Sequence, residues 1–270
     1  MDVIALSWSD ILLAALPLTV LAVIFAWQRL GLSRALMIGA VRTFVQLALV
    51  GVVLKGVFQN AHPLWTFCFS MVMLAAGTWE VTRRQHRRFV AGWTVGLAAL
   101  GLFTAGFTVT VFALVALVGV RPWWSPQYAI PLLGMILGNT MTGIALGMDT
   151  LTQNAWKQRA VIENRLALGQ PASEAVADLR RESVRTAMTP IINSLAVCGV
   201  VSLPGMMTGQ ILAGGAPEQA VRYQIVIMFF MCAASALGGM FAVWSVFRRF
   251  FDKNACFLPW RLIRKPQGRV

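Results

Sequence analysis

The chain has 270 residues, 58% of them hydrophobic and only 12% charged, with a net charge of +13 and a mean hydropathy of +0.70. Soluble domains carry about 25% charged residues, so this composition excludes an ordinary soluble globular protein. The apolar runs are continuous rather than alternating, which excludes a membrane barrel, and the basic residues cluster between those runs, as loop bias in a helical membrane protein does, so no nucleic-acid partner is expected.

A helix crosses the bilayer core with about 20 mainly apolar residues. Seven segments meet that need, at residues 11–28, 35–54, 63–82, 92–119, 128–148, 187–203 and 221–247. The fold class expected is an all-α polytopic membrane protein with about seven transmembrane helices, forming one domain over residues 1–270 in a bacterial inner membrane. Asp2 and Asp10 precede the first run, and Arg29 and Arg34 follow it. That order is the reverse of a cleavable signal peptide and favours an N-terminus outside. With this orientation 19 of the 23 Lys and Arg fall in cytoplasmic loops, three fall outside and Arg42 lies within the second segment. The positive-inside rule then places the C-terminus in the cytoplasm.

Arg42 and Gln46 are four residues apart, on one face of the second segment. An intramembrane Arg either faces the bundle or water, or snorkels to the nearer surface. The run from Arg83 to Arg88 reads as a cytoplasmic anchor against anionic lipid. Residues 121–128 hold two prolines and three aromatics, which suits an interfacial turn on the outer side.

The fifth segment carries Gly134 with Gly138, and Gly143 with Gly147. Small residues four apart let helices approach closely, so these four glycines are helix-packing candidates, while Asn139 and Thr142 beside them either pack or line a substrate path. After it comes a cytoplasmic loop, residues 149–186, longer than a hairpin needs. Glu163 to Leu168 predicts a short helix, Gly169-Gln-Pro171 its stop, and Ser173 the N-cap of a second helix that runs into the sixth segment.

The block Leu203-Pro204-Gly205-Met206-Met207-Thr208-Gly209-Gln210 breaks the helix at the outer end. Irregular backbone in a membrane is tolerated where it is buried or lines a cavity. Met206 and Met207 offer thioethers to a soft metal, or are adaptable filler; no other metal site suggests itself. The four cysteines have no redox or zinc spacing. No Gly-Lys-Ser/Thr occurs, so the chain lacks a P-loop and any ATP hydrolysis belongs to a partner subunit. The protein is therefore expected to be no enzyme and to need no cofactor.

Four stretches carry a resemblance: Arg42-Thr-Phe-Val-Gln-Leu47, Pro131-Leu-Leu-Gly-Met-Ile-Leu-Gly-Asn139, Leu166-Ala-Leu-Gly169, and Pro204-Gly-Met-Met-Thr-Gly-Gln210 followed by Gly214 and Pro217. Through them the chain resembles the YbbM/FetB-like family of ABC transporter permeases, linked to iron export and including the plant aluminium-sensitivity permeases. The resemblance implies an ABC ATPase partner, a complex of two permeases with two ATPases, and a role in metal homeostasis. A nucleotide sugar is the alternative substrate class, since plant relatives have been tied to one. Within that frame the coupling contact is expected at Glu163, Arg165, Leu166, Leu168, Gly169 and Glu174, the rival reading being a helix lying on lipid. The polar residues expected along the path are Arg42, Gln46, Asn139, Thr142, Asn193 and Gln210. A gradient-driven carrier would want acidic or His relays at mid-membrane, and the acids here lie in loops or at segment ends.

Overall fold

The structure is a computed structural model that describes residues 7–59, 62–118, 122–252 and 256–264. The expectations resting on Asp2 and Arg121 lie outside the described residues. The protein is an all-α, multi-pass membrane protein, and its described residues divide into two compact units.

The first unit holds helices α1 (Trp8–Trp27) and α2 (Ser33–Gln59). Ser7 caps α1 with a capping box: its side chain accepts from the Ser9 amide while Asp10 accepts from the Ser7 amide at 2.8 Å. Arg29 and Gly31, both at positive φ, turn the chain into α2. Large apolar side chains such as Leu12, Leu13, Val23 and Leu47 are exposed along both helices, as a lipid solvent permits and water would not.

The second unit contains α3 (Pro63–Arg84), strand β1 (Arg87–Phe89), α4 (Trp93–Leu102), α5 (Thr108–Phe112), α6 (Pro126–Lys157), α7 (Arg159–Ala167), α8 (Ala172–Ala175), α9 (Ala177–Val197), α10 (Gly205–Leu212), α11 (Pro217–Phe250) and strand β2 (Leu262–Arg264). π-helical turns at Phe103–Phe107 and Ala113–Val118 extend α4 and α5 into one span. The two strands pair antiparallel, with Arg88 opposite Ile263, and Phe89, Phe250 and Phe257 stack behind them.

Six helices among the described residues are long and apolar enough to cross a membrane: α1, α2, α3, the α4–α5 span, α6 and α11. The segment expected at 187–203 differs. Its helix, α9, stops at Val197, after which Gly199 adopts φ +82° and its amide bonds back to the Ser202 carbonyl. Pro204 then precedes α10. Only 11 residues of the expected span are helical, about 16 Å, because the apolar run continues through a turn that glycine and proline impose. The second cytoplasmic helix also differs from expectation: Pro171, not Ser173, stands at the N-cap of α8, and the chain breaks at Val176 before α9 begins.

Helix α6 is the hub. On one side a Cβ on Gly134 would come 3.0 Å from Met73 of α3. On the other, a Cβ on Gly143 would come 3.3 Å from the Ser235 carbonyl oxygen, and one on Gly147 would come 3.2 Å from the Ala187 Cβ. A Cβ on Gly239 of α11 would come 3.2 Å from the same Ala187 methyl. Gly138 does not share this role, since a Cβ there meets nothing within 4 Å. At about 100° per residue Gly138 lies about 140° from Gly143 around the helix, turned away from the contact with α9 and α11.

Five buried hydroxyls satisfy themselves along their own helices, the local solution that a bilayer interior favours. Ser70, Thr82, Thr110, Thr140 and Ser183 each donate to the carbonyl four residues earlier, at 2.6–2.8 Å.

Gly147→Leu forces side-chain atoms into the α9 and α11 crossing and is expected to lower stability by about 1–3 kcal/mol. Gly138→Ala meets open space and should leave the unfolding temperature in detergent unchanged or slightly raised. Thermal unfolding monitored by size-exclusion fluorescence separates the two.

Candidate functional site

The sequence-derived path residues are divided between the two units. Arg42 and Gln46 are exposed on α2 of the first unit, and Asn193 is exposed on α9. Asn139 and Thr142 are half-buried on α6, and Gln210 is half-buried on α10. The Asn139 amide donates to the Met135 carbonyl at 2.9 Å and to the Met231 sulfur at 3.1 Å, leaving its oxygen for another partner. The Thr142 hydroxyl donates to the Gly138 carbonyl at 3.1 Å.

Gln210 and Met206 do share a cavity, of about 170 Å³, with Gln127, Tyr128, Met135 and Tyr223. It opens between α6, α10 and α11 at the end where α6 and α11 begin. Behind it lies a sulfur-rich core in which Met228 and Met231 are buried and Met135, Met188, Met206, Cys198 and Cys232 pack around them. Met207 is buried as well. Gln224, only 4% exposed, leaves its Oε1 without a hydrogen-bond partner, and the buried Ser235 hydroxyl is also unsatisfied. Reading residues singly missed this stripe, although Gln224, Met228, Met231 and Ser235 recur at helical spacing and mark one face of α11. The chemistry on offer is amide oxygen and thioether. Among the described residues no group of three or more His, Cys, Asp or Glu could hold a metal ion.

At the opposite end, the loop after α6 is an ordered helix–turn–helix. Helix α7 ends in a Schellman motif: Gly169, at φ +83°, donates to the Leu166 carbonyl at 2.9 Å, and Gln170 to that of Arg165 at 3.1 Å. Ile162 and Val176, with at most 1% of their surface exposed, root the element in the core, and Leu166 packs against them. Arg165 ties the two arms, donating to the Ala175 carbonyl at 3.0 Å and approaching Asp178 at 3.7 Å. Glu163 and Glu174 are exposed, and Leu168 at the tip is 85% exposed. Trp156 at the base lies beneath two guanidiniums, Arg87 at 4.1 Å and Arg159 at 5.1 Å. Alongside, Asp149 of α6 accepts the His86 amide at 2.8 Å and the Gln153 side chain at 2.7 Å, so the end of α3 is fastened to α6.

The profile of the Uncharacterised protein family (UPF0014) matches residues 8–251, from the first helix to the end of α11. This chain belongs to that family. Among its relatives, the UPF0014 membrane protein slr1647 of Synechocystis is 35% identical, over 93% of this chain and 96% of the relative. The Arabidopsis thaliana protein ALUMINUM SENSITIVE 3 is 31% identical, over 89% and 86%. The "Probable iron export permease protein FetB" of Escherichia coli is 29% identical, over 95% and 97%. No solved structure matches the chain. The UPF0014 match thus spans the sulfur-lined cavity and the helix–turn–helix alike.

Arg165→Ala removes the tie between the two arms. Its ion pair is partly exposed and contributes little, under about 1 kcal/mol, so the global unfolding temperature should hold. Amide hydrogen exchange over 168–176 should rise instead. Unchanged protection there would show that Ile162 and Val176 alone hold the element.

Proposed function

We propose that this UPF0014 protein is the membrane-spanning permease subunit of an ABC-type transporter that exports metal cations. ATP hydrolysis is supplied by a separate ATPase, and two permeases assemble with two ATPases. The observation that carries the reading is the helix–turn–helix of α7 and α8, rooted in the core by Ile162 and Val176 yet presenting an exposed apolar tip at Leu168. A force applied to a rigid, core-seated element moves the helices behind it, and those helices lead to α6 and α9. Closure of the partner on ATP then favours one packing of the bundle over another.

In this reading residues 1–270 act as one permease domain of seven spans, counting α9 and its break as the sixth. The N-terminus is outside, the C-terminus is in the cytoplasm and loop 149–186 meets the ATPase. The charge distribution supports the orientation, and the bacterial relatives support an inner-membrane location. The name of the Escherichia coli relative, an iron export permease, supports metal as substrate and export as direction. The sulfur-rich core with the unpartnered Gln224 oxygen supports a cation path, because thioethers and amide oxygens can replace part of a hydration shell without a fixed charge that would trap the ion.

Affinity purification of the tagged protein in mild detergent tests the coupling. A P-loop ATPase should co-purify with the wild type and be lost with Leu168→Asp and with the paired change Glu163→Ala and Glu174→Ala. Absence of any ATPase from folded protein would favour a gradient-driven carrier. Met231→Leu keeps side-chain volume, at a stability change below about 1.5 kcal/mol, and removes the sulfur. Metal efflux from loaded cells should fall severalfold while protein abundance holds; unchanged efflux would sink the thioether path.

A further inference from the structure

A cleft of about 450 Å³ opens where the first turns of α9 meet the last turns of α11. Arg180, Arg181 and Arg185 line it together with Val184, Met240, Val243 and Trp244, and no carboxylate does. Arg181 is engaged by Asp178 at 3.5 Å. Among the described residues, neither Arg180, Arg185 nor the neighbouring Arg248 has a carboxylate within salt-bridge distance. Two of these guanidiniums are held in place by rings, Arg180 over Phe247 at 4.7 Å and Arg248 over Trp244 at 4.1 Å. From the cleft an exposed apolar ridge runs back along one face of α11 through Met240, Leu237 and Phe229. The stretch from Trp244 to Phe229 is about 22 Å long, against about 15 Å for one leaflet of hydrocarbon.

We infer that this cleft is a binding site for an anionic phospholipid, its phosphate held by Arg180, Arg185 and Arg248 and one acyl chain laid along the α11 ridge. The shape of the surface argues for this occupant. Uncompensated positive charge stands at the end of a spanning helix, where headgroups lie, and the apolar track leaves it in the only direction that enters hydrocarbon. A soluble phosphorylated solute would use the arginines and leave the ridge empty. A second copy of this chain would bring the same basic residues against themselves, unless its own acids intervened. The site lies on the two helices that cross at Ala187 and Gly239, so an occupant braces the crossing from outside.

The test uses the full chain purified in a neutral detergent and presented with phosphatidylglycerol, phosphatidylcholine or glycerol 1-phosphate. Native mass spectrometry reads occupancy, and thermal unfolding reads the consequence. Phosphatidylglycerol should stay bound and raise the unfolding temperature, whereas the zwitterionic lipid and the tail-less phosphate should do neither. Each basic side chain near an anionic headgroup contributes about a fivefold gain in affinity, so the triple change Arg180→Gln, Arg185→Gln and Arg248→Gln should cost at least about tenfold. Arg185→Gln alone, at an exposed position, should give part of that loss and decides the matter if the triple variant fails to fold. Arg29→Gln with Arg34→Gln, in the first unit, should change nothing. Undiminished lipid occupancy in both cleft variants would overturn the site. An equal shift with glycerol 1-phosphate would assign the arginines to a soluble solute instead, and a photo-crosslinker at Met240 that captured a second copy rather than lipid would make the face a dimer contact.

Discussion

The close approach of α6 to α9 and α11, at Gly143, Gly147, Ala187 and Gly239, is the constraint on which the second unit depends. Inside a bilayer, burying apolar side chains against one another gains little over leaving them in lipid. Helices hold together there by van der Waals packing at short range, and backbone-to-backbone proximity needs residues without bulk. With α6 pinned on that face, its opposite face is free to take α3 through Gly134, and the same helix carries Asn139 and Thr140 between. Its two ends then present the sulfur-lined cavity and the root of the helix–turn–helix. One rigid member therefore joins the two places where function is sought.

Polar groups inside the unit fall into two kinds. The hydroxyls that donate to their own helix backbone are finished, and they cost the bundle little. Among those that are not finished are the Thr78 hydroxyl, the Gln85 oxygen, the Gln224 oxygen and the Ser235 hydroxyl, and the last two stand together on α11, where an unmet buried acceptor is expensive enough to require a reason. Both sit on the α11 face that carries Met228 and Met231. In the permease reading proposed above, soft sulfur beside unsatisfied oxygen would let a cation exchange partners stepwise, with no single site deep enough to hold it.

Most of the architecture was legible in composition, because a helix that crosses lipid announces itself by an uninterrupted apolar run. The ends of α1, α2, α3, α6 and α11 fall within a few residues of the hydropathy limits, apart from polar extensions such as the last turns of α6. The break after Val197 was not legible in that way: valine and leucine continue through 200–203, and hydropathy is blind to a positive φ at Gly199. The helix–turn–helix of α7 and α8 showed itself through turn chemistry, Gly169 and Pro171, rather than through periodicity. The exposure of the candidate path residues is a further feature that composition does not report. Asn193 and Gln210 are both polar residues of apolar stretches, yet one is exposed and the other lines a cavity, and only the azimuth of each helix decides between them. Met228 and Met231 gave no signal singly because methionine fills cores everywhere.

The small ribbon of β1 and β2 joins residues separated by most of the chain, Arg87 to Phe89 with Leu262 to Arg264. During synthesis β1 is delivered early and must stand unpaired while α4 through α11 are made and inserted, since its partner emerges only after them. Pairing across so long a separation closes late. It then links the α3–α4 connection, the end of α11 and the phenylalanines behind the strands in one step. The ribbon can therefore close only when β1 and β2 have reached the same side of the membrane.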